Sequence, residues 1–322
     1  MPRKLISVVT PCYNEEENVA ELVKQIREVF AHELSGYDYE HILIDNASTD
    51  GTVAILRKIC AEDPRVKLII NTRNFGHIRS PYHGLLQGSG DAVIVMASDF
   101  QDPIDLIPQF IREWENGFKV VKAVKAESNE SPTMFAIRNF YYQLIGRLSD
   151  IRLTKNYTGT GLYDREVIRV LREIRDPYPY FRGLIADLGY EAAIVKFHQP
   201  ARRRGITKNN FYTLYDVAML GITNHSKVPL RLATLSGFAL GAMSLLVALG
   251  YLAAKLIFWD TFMFGTAPLL IGIFFFSSVQ LFFIGILGEY IGSIHTQVLN
   301  RPLVIERERI NFKPASADRS TP

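Results

Sequence analysis

Short apolar runs alternate with helical patterns over the first part of the chain. Leu5–Thr10, His41–Asp45, Val66–Ile70 and Ala92–Met96 are nearly continuous in apolar character, as parallel strands covered on both faces are. Between the first two, Val19, Leu22, Val23, Ile26, Val29 and Phe30 make one apolar stripe. The stripe predicts a helix from Glu15 to Phe30, with Asn14 as N-cap and Glu17 as its capping-box partner. A second helix is expected after Ser48 and Thr49, with Val53, Leu56 and Ile59 turned inward. The βαβα alternation implies an α/β fold, an open, mostly parallel sheet with helices on both faces. Ligands of such sheets bind beyond the C-terminal ends of the strands, so those ends are where chemistry is sought.

The pattern changes in the last third. Phe211, Leu214, Tyr215, Ala218, Met219 and Ile222 recur at helical spacing. They predict an amphipathic helix that either faces a core or, with Lys208 and Lys227 flanking it, lies in a lipid interface. Leu232–Phe258 and Ala267–Leu287 follow as two predominantly apolar runs, and only Lys255 and Asp260 are charged between Leu232 and Leu287. Each run has the ~20 residues that a helix needs to cross a bilayer. Their short connection, Trp259–Thr266, carries no Lys or Arg, whereas Lys227, Arg231, Arg301, Arg307 and Arg309 flank the pair. The positive-inside rule therefore expects a multi-pass hairpin in the cytoplasmic membrane, with both ends in the cytoplasm. The expected division is a cytoplasmic domain over 1–210, an interfacial helix and linker over 211–229, two spans over 230–294 and a tail over 295–322. Leu5–Thr10 leads straight into Pro11, which argues against a cleaved signal peptide. Cys12 and Cys60 are the only cysteines and provide neither a disulfide framework nor a zinc spacing.

Three strand ends carry polar segments. The fourth strand runs into Ser98-Asp99-Phe100-Gln101-Asp102-Pro103. Its carboxylates and amide form a hard-oxygen set suited to Mg²⁺ or Mn²⁺ beside a diphosphate; a solvated turn with a helix starting at Asp102-Pro103 is the other reading. The first strand ends in Thr10-Pro11-Cys12-Tyr13-Asn14-Glu15-Glu16 and the second in Asp45-Asn46-Ala47-Ser48-Thr49-Asp50-Gly51-Thr52. Each alone is a turn and a helix cap; together they set acidic and amide groups along one sheet edge. From Lys196 to Arg231 there are seven Lys or Arg against one acid, Asp216. Next to an apolar run, such a cluster attracts lipid phosphates, and the aromatic strips of a nucleic-acid surface are missing. Gly84, Gly88 and Gly90 do not form a dinucleotide fingerprint, and His77, after Asn74-Phe75-Gly76, fits either a donor pocket or a structural place.

The ordered set PCYNEEEN, IDNASTDGT, NTRNFGH, SDFQDP and RRRGITKNNFYTLYD closely resembles the family-2 glycosyltransferases of the GT-A fold. The likeness is greatest to the polyisoprenyl-phosphate branch, which includes dolichyl-phosphate mannose synthases and bacterial undecaprenyl-phosphate glucosyltransferases. It covers residues 5–300. It implies inverting transfer of a sugar from a nucleotide donor, UDP-glucose as the first expectation, to undecaprenyl phosphate, and a homo-oligomer such as a tetramer. Pro11, Tyr13 and Glu15 match positions that hold base and ribose, and Asp45 and Asn46 match an acidic pair that contacts the nucleoside. Ser98, Asp99 and Gln101 fall in the diphosphate segment, with Asp99 and Gln101 at the metal positions. Arg138 matches a diphosphate-binding arginine. Arg202 to Lys208 match a flexible R-x-x-G-x-[ST]-K loop, which nominates Arg202, Arg204 and Lys208 for the acceptor phosphate and Arg202 and Lys208, with Asp99 and Asp102, for catalysis.

The chain departs from the family in two places. Ala97-Ser98-Asp99 stands where relatives read Asp-Ala-Asp. Thr158-Gly159-Thr160-Gly161-Leu162-Tyr163-Asp164-Arg165 lacks the acid of a Gly-Asp-Phe-Arg segment, which leaves Asp164 or Asp102 as substitutes for a base. A phosphate monoester is largely a dianion at pH 7, so alignment and charge stabilisation suffice without a base. A processive synthase would carry a Q-x-x-R-W segment, which is missing here, and a non-catalytic scaffold is disfavoured by the retained Asp99, Gln101, Arg202 and Lys208.

Overall fold

Eight strands form one sheet in the computed structural model, which describes residues 3–126, 153–200, 219–224, 226–257 and 266–312. In chain order the elements are β1 (Leu5–Cys12), α1 (Val19–His32), β2 (Asp38–Asp45), α2 (Thr52–Glu62), β3 (Val66–Asn71), α3 (Gly76–Leu86), β4 (Ala92–Val95), α4 (Leu106–Glu115), β5 (Val120–Lys125) and β6 (Tyr157–Asp164). They continue with α5 (Arg165–Glu173), α6 (Phe181–Asp187), β7 (Ala192–Phe197), α7 (Val228–Ile257), α8 (Thr266–Leu299) and β8 (Glu306–Ile310). The described residues fall into two compact units. One holds the sheet and residues 299–312; the other holds 219–224, α7 and α8 up to residue 298.

The strand order is β7-β5-β6-β4-β1-β2-β3-β8. β4, β1, β2 and β3 are mutually parallel neighbours, as their continuous apolar runs predict. β6 runs antiparallel to both β4 and β5, and β8 antiparallel to β3. Alternate side chains of the central strands enter opposite cores. Ile6, Val8 and Ile94 pack with Leu22 and Ile26 of α1 and Ile107 and Phe110 of α4. Val9, Ile42, Ile44 and Ile69 pack on the other face with Tyr82 of α3, Val167 of α5 and Leu184 of α6. This is the mixed α/β sheet, helices on both faces, that the sequence implies.

One helix start differs from expectation, and another from one of the two readings of its segment. α1 begins at Val19 after Asn18, because Asn18 and Val19 both donate their N–H to the Glu15 carbonyl and close a turn first. Asn14 instead sits in the left-handed region at φ 57°. α4 begins at Leu106, not at Pro103, because the Asp102 side chain is engaged elsewhere, as described below. In α2, Leu56 is buried, while Val53 and Ile59 are only partly covered.

α7 and α8 are the two described helices long and apolar enough to cross a membrane. Their side chains lie open: Leu235 is 66%, Phe238 74%, Phe282 66% and Val298 77% exposed. Apolar surface on this scale marks a membrane or a partner. α8 runs on well beyond the apolar stretch that ends at Leu287. Of the expected amphipathic helix, only 219–224 is described, and it is helical; Phe211, Leu214, Tyr215 and Ala218 lie outside the described residues, as does the connection around Asp260.

After α8 the chain returns to the sheet. Thr72 donates its N–H to Ile305 at 2.9 Å, and the Asn311 amide donates to the Cys60 and Val66 carbonyls at 2.7 and 2.8 Å. The segment expected to be a tail thus contributes an edge strand.

Candidate active site

The parallel register brings three polar strand ends together. Cys12 is level with Asp45, Asp45 with Ile70, and Val9 with Val95, so the segments after β1, β2 and β4 leave the same edge of the sheet. The β1–α1 and β2–α2 loops are laced to each other. Asn14 N–H donates to Ser48 Oγ at 2.9 Å, and Thr49 N–H donates to Asn14 Oδ1 at 2.8 Å. Glu15 N–H donates to Thr52 Oγ1 at 2.9 Å, and Gly51 N–H donates to Glu16 Oε2 at 2.6 Å. Residues that read singly as caps and turns therefore hold one shelf on which Pro11, Tyr13 and Glu15 are half-buried.

Asp45 is fully buried. Its Oδ2 accepts from Ser48 N–H at 3.0 Å, whereas Oδ1 is buried without a partner. Burial pushes its carboxyl up; the Ser48 hydroxyl, the N–H groups of Ser48 and Ala47 and the charge of Arg307 pull the other way. A buried carboxylate oxygen with no donor is costly.

Asn46 has a different environment. Its amide nitrogen donates to Asn74 Oδ1 at 2.9 Å and to the Gly76 carbonyl at 3.2 Å. Its oxygen accepts from Asn71 Nδ2 at 3.1 Å and from Phe75 N–H at 2.9 Å. All four hydrogen-bonding positions of the amide are filled, and Asn46 braces the β3–α3 loop. An aspartate could not make the two donations, which gives this chain's asparagine a physical reason.

Beyond β4, Ser98 is buried and Asp99 and Gln101 half-buried. Asp99 Oδ1 accepts from Gln101 N–H at 3.2 Å across Phe100, whose φ is 57°. Asp102 is not a solvated helix cap. It is 5% exposed, and its Oδ2 accepts from Ala97 N–H at 3.2 Å and from the Thr160 hydroxyl at 2.7 Å. Burial pushes its carboxyl up, with Asp99 adding to the rise and Thr160, Ala97 and Lys125 opposing it.

Thr160 reaches Asp102 because β6 is irregular. Lys122 opposes Gly161 while Val124 opposes Tyr157, so 158–160 loop out of the pairing. Gly159 has φ +109°, and a Cβ on Gly161 would lie 2.1 Å from the Val121 carbonyl oxygen. Tyr163 Oη donates to the Gly159 carbonyl at 2.6 Å and pins the loop. Asp164, by contrast, pairs in register with Ala92 at the start of β4, about 13 Å from Thr160 along an extended strand. There it caps α5 through Glu166 N–H at 2.8 Å and accepts from Trp114 Nε1 at 2.7 Å. Of the two substitute acids, only Asp102 lies at the site edge.

Arg138, Arg202, Arg204 and Lys208 lie outside the described residues. Lys125, at the end of β5 and therefore on the edge shared with β4, was not singled out from the sequence; its signal is a cation closing a strand, visible only once β5 is placed. Among the described residues no group of three or more His, Cys, Asp or Glu gathers as a metal site. His77 is exposed in the first turn of α3.

The sequence profile of glycosyl transferase family 2 matches residues 7–172. The chain is 34% identical over 310 residues to the SfII prophage-derived bactoprenol glucosyl transferase of Shigella flexneri, with 96% of this chain and 99% of that one covered. It is 32% identical to the uncharacterized glycosyltransferase YkcC of Bacillus subtilis, covering 93% and 92% of the two chains. Among solved structures, the mannosyltransferase PcManGT of Pyrobaculum calidifontis, in complex with GDP-Man and Mn²⁺, superposes with a TM-score of 0.44 at 17% identity over 93% of this chain and 88% of that one. Matched by the profile over half its length and by curated relatives almost end to end, the chain belongs to glycosyl transferase family 2 and is a glycosyltransferase.

Proposed function

We propose that the protein transfers a hexose, UDP-glucose being the first donor to test, to the phosphate of a polyisoprenyl lipid at the cytoplasmic membrane face. The observation that carries this reading is the unpartnered, fully buried Oδ1 of Asp45 on the same sheet edge as the Asp99–Gln101 turn. A nucleobase N–H satisfies the first, and the diphosphate of the same donor reaches the second. The name bactoprenol glucosyl transferase, borne by relatives such as that of S. flexneri, supports a lipid carrier and glucose.

In this reading Pro11, Tyr13 and Glu15 flank base and ribose. The Asp99 carboxylate and Gln101 amide oxygen fit a hard dication whose other ligands are phosphate oxygens and water. They would hold Mg²⁺ or Mn²⁺, whose charge would stabilise the departing diphosphate. An acceptor phosphate oxygen attacks the anomeric carbon from the face opposite the diphosphate. The new C–O bond forms as the old one breaks, the nucleoside diphosphate leaves, and the configuration inverts. The attacking group is already an anion, so no proton has to be removed. Arg138, Arg202, Arg204 and Lys208 are assigned to offsetting the repulsion between the two phosphates.

Membrane placement has support from connectivity. β8 belongs to the same sheet as β1, so the chain leaves the catalytic unit before α7 and rejoins it after α8. An even number of crossings then returns it to the side it left, in line with two spans and the flanking cations. The test is to incubate purified protein with radiolabelled UDP-glucose and undecaprenyl phosphate and to extract the lipid. Label in the organic phase is expected; its absence across a panel of nucleotide sugars overturns the reading.

A further inference from the structure

A cluster of three arginines lies beyond the groups used above. Arg73 follows β3, Arg79 is in the first turn of α3, and Arg301 comes two residues after the end of α8. Arg73 and Arg79 both stack on the ring of Phe75, with guanidinium carbons 4.0 and 5.5 Å from its centroid. Burial weighs most against the charge of Arg79, and the charges of Arg73 and Arg301 add to it, with Tyr178 opposing them.

Ordinary ion pairing does not account for the cluster. Among the described residues none of the three is in an ion pair. Arg79 donates one N–H to the Pro302 carbonyl, but its Nε is buried without a partner. Arg73 donates to the Asn74 carbonyl at 3.0 Å. The first turn of α3 carries no acid, although a helix N-terminus favours negative charge and disfavours a cation such as Arg79. Three like charges, an unmet guanidinium N–H and a positive helix end are stabilised together by one arrangement, an oxyanion bound among them.

We propose that Arg73, Arg79 and Arg301 bind the phosphate of an anionic membrane lipid. The source is argued from connectivity. Two peptide units separate Arg301 from α8, at most about 7.6 Å of chain, so at least one cation is tethered close behind a helix apolar enough to cross a membrane. The argument rests on the membrane placement proposed above, and the test therefore reads transfer in the same samples.

Full-length protein in non-ionic detergent is titrated with phosphatidylglycerol, phosphatidylcholine or inorganic phosphate, and thermal unfolding is followed. Phosphatidylglycerol is expected to stabilise the wild type, and the midpoint of that titration to rise about tenfold in Arg73→Gln/Arg301→Gln, the loss of one to two charge-assisted hydrogen bonds. Phosphatidylcholine is expected to act equally on both proteins. UDP affinity and transfer to lipid in detergent are expected to stay at wild-type level, which separates loss of this site from failure of the transferase reading. An unchanged midpoint in the double variant overturns the proposal. So does a rise of the same size in the control Arg112→Gln/Arg169→Gln, which would show a generic charge effect. Equal stabilisation by inorganic phosphate at equal concentration overturns the lipid assignment, and lost UDP binding would return the cluster to the donor pocket.

Discussion

Thr160 donates its hydroxyl hydrogen to Asp102 at 2.7 Å, joining the looped-out segment of β6 to the segment that follows β4. The same carboxylate oxygen also takes the Ala97 N–H. Asp102 therefore positions the Asp99 turn and does not stand ready as a proton acceptor. Asp102→Asn and Thr160→Val are expected to lower kcat with little change in UDP affinity, and the double variant to be no worse than the poorer single one. The acid limb of the rate, set near pH 6 by the acceptor phosphate, is expected to persist in Asp102→Asn. Loss of that limb with additive effects would make Asp102 the base.

Asp164 caps α5 at the opposite end of the sheet strands. Asp164→Asn is therefore expected to transfer sugar at the wild-type rate. Asp164→Ala should cost about 1 kcal/mol of stability through the lost cap, read as a lower Tm. A turnover collapse in Asp164→Asn with intact donor binding would contradict the geometry.

Asn46→Asp tests the bracing role. The change places a carboxylate against Asn74 Oδ1 and the Gly76 carbonyl and removes both donations. Destabilisation of about 2–4 kcal/mol is expected, the range for a buried polar group losing its partners. Unfolding of variant and wild type under the same conditions measures it; a variant of equal Tm would show that the loop relaxes freely.

Asp99→Asn is expected to lower turnover at least about tenfold, equivalent to about 1.4 kcal/mol of transition-state stabilisation, with the fold intact by circular dichroism. Wild-type activity is expected to vanish in excess chelator and return with Mg²⁺ or Mn²⁺. Full activity in chelator would remove the metal from the proposal.

His41 is fully buried, with Nε2 3.0 Å from Thr10 Oγ1 and Nδ1 unpaired. Burial holds its pKa down at about 3. The unfolded chain binds the proton near pH 6.5, so this group's contribution is complete above that pH and is lost progressively as pH falls from 6.5 towards 3, at up to about 1.4 kcal/mol per pH unit. The fall in Tm between pH 6.5 and 4.5 is expected to be smaller in His41→Gln than in wild type. Parallel curves would mean that other groups set the acid limit.

The four central strands were legible because a strand covered on both faces must be apolar at almost every position. The long helices were legible because a bilayer-length apolar run has few other uses. β6 and β8 were not. Tyr157–Asp164 contains Thr158-Gly159-Thr160-Gly161, which reads as a turn, and it pairs as a strand only because Gly161 admits the Val121 carbonyl. Glu306–Ile310 alternates charge with Ile310 and has no apolar signature of its own; Arg57, His83 and Gln87 receive its side chains.

The sequence by itself determined the order of the first four strands, the family resemblance and the strand ends at which polar groups collect, since these follow from local periodicity and short motifs. Only the tertiary structure decided what each polar group does there. Asp45 keeps an unpaired oxygen, Asn46 is saturated, Asp102 braces and Asp164 is remote, four neighbouring or similar side chains with four different fates. The reason is that a side chain's role depends on which partners reach it across strands far apart in sequence. A buried carboxylate or amide takes whatever donors and acceptors that register supplies, and the chain's local pattern does not encode them.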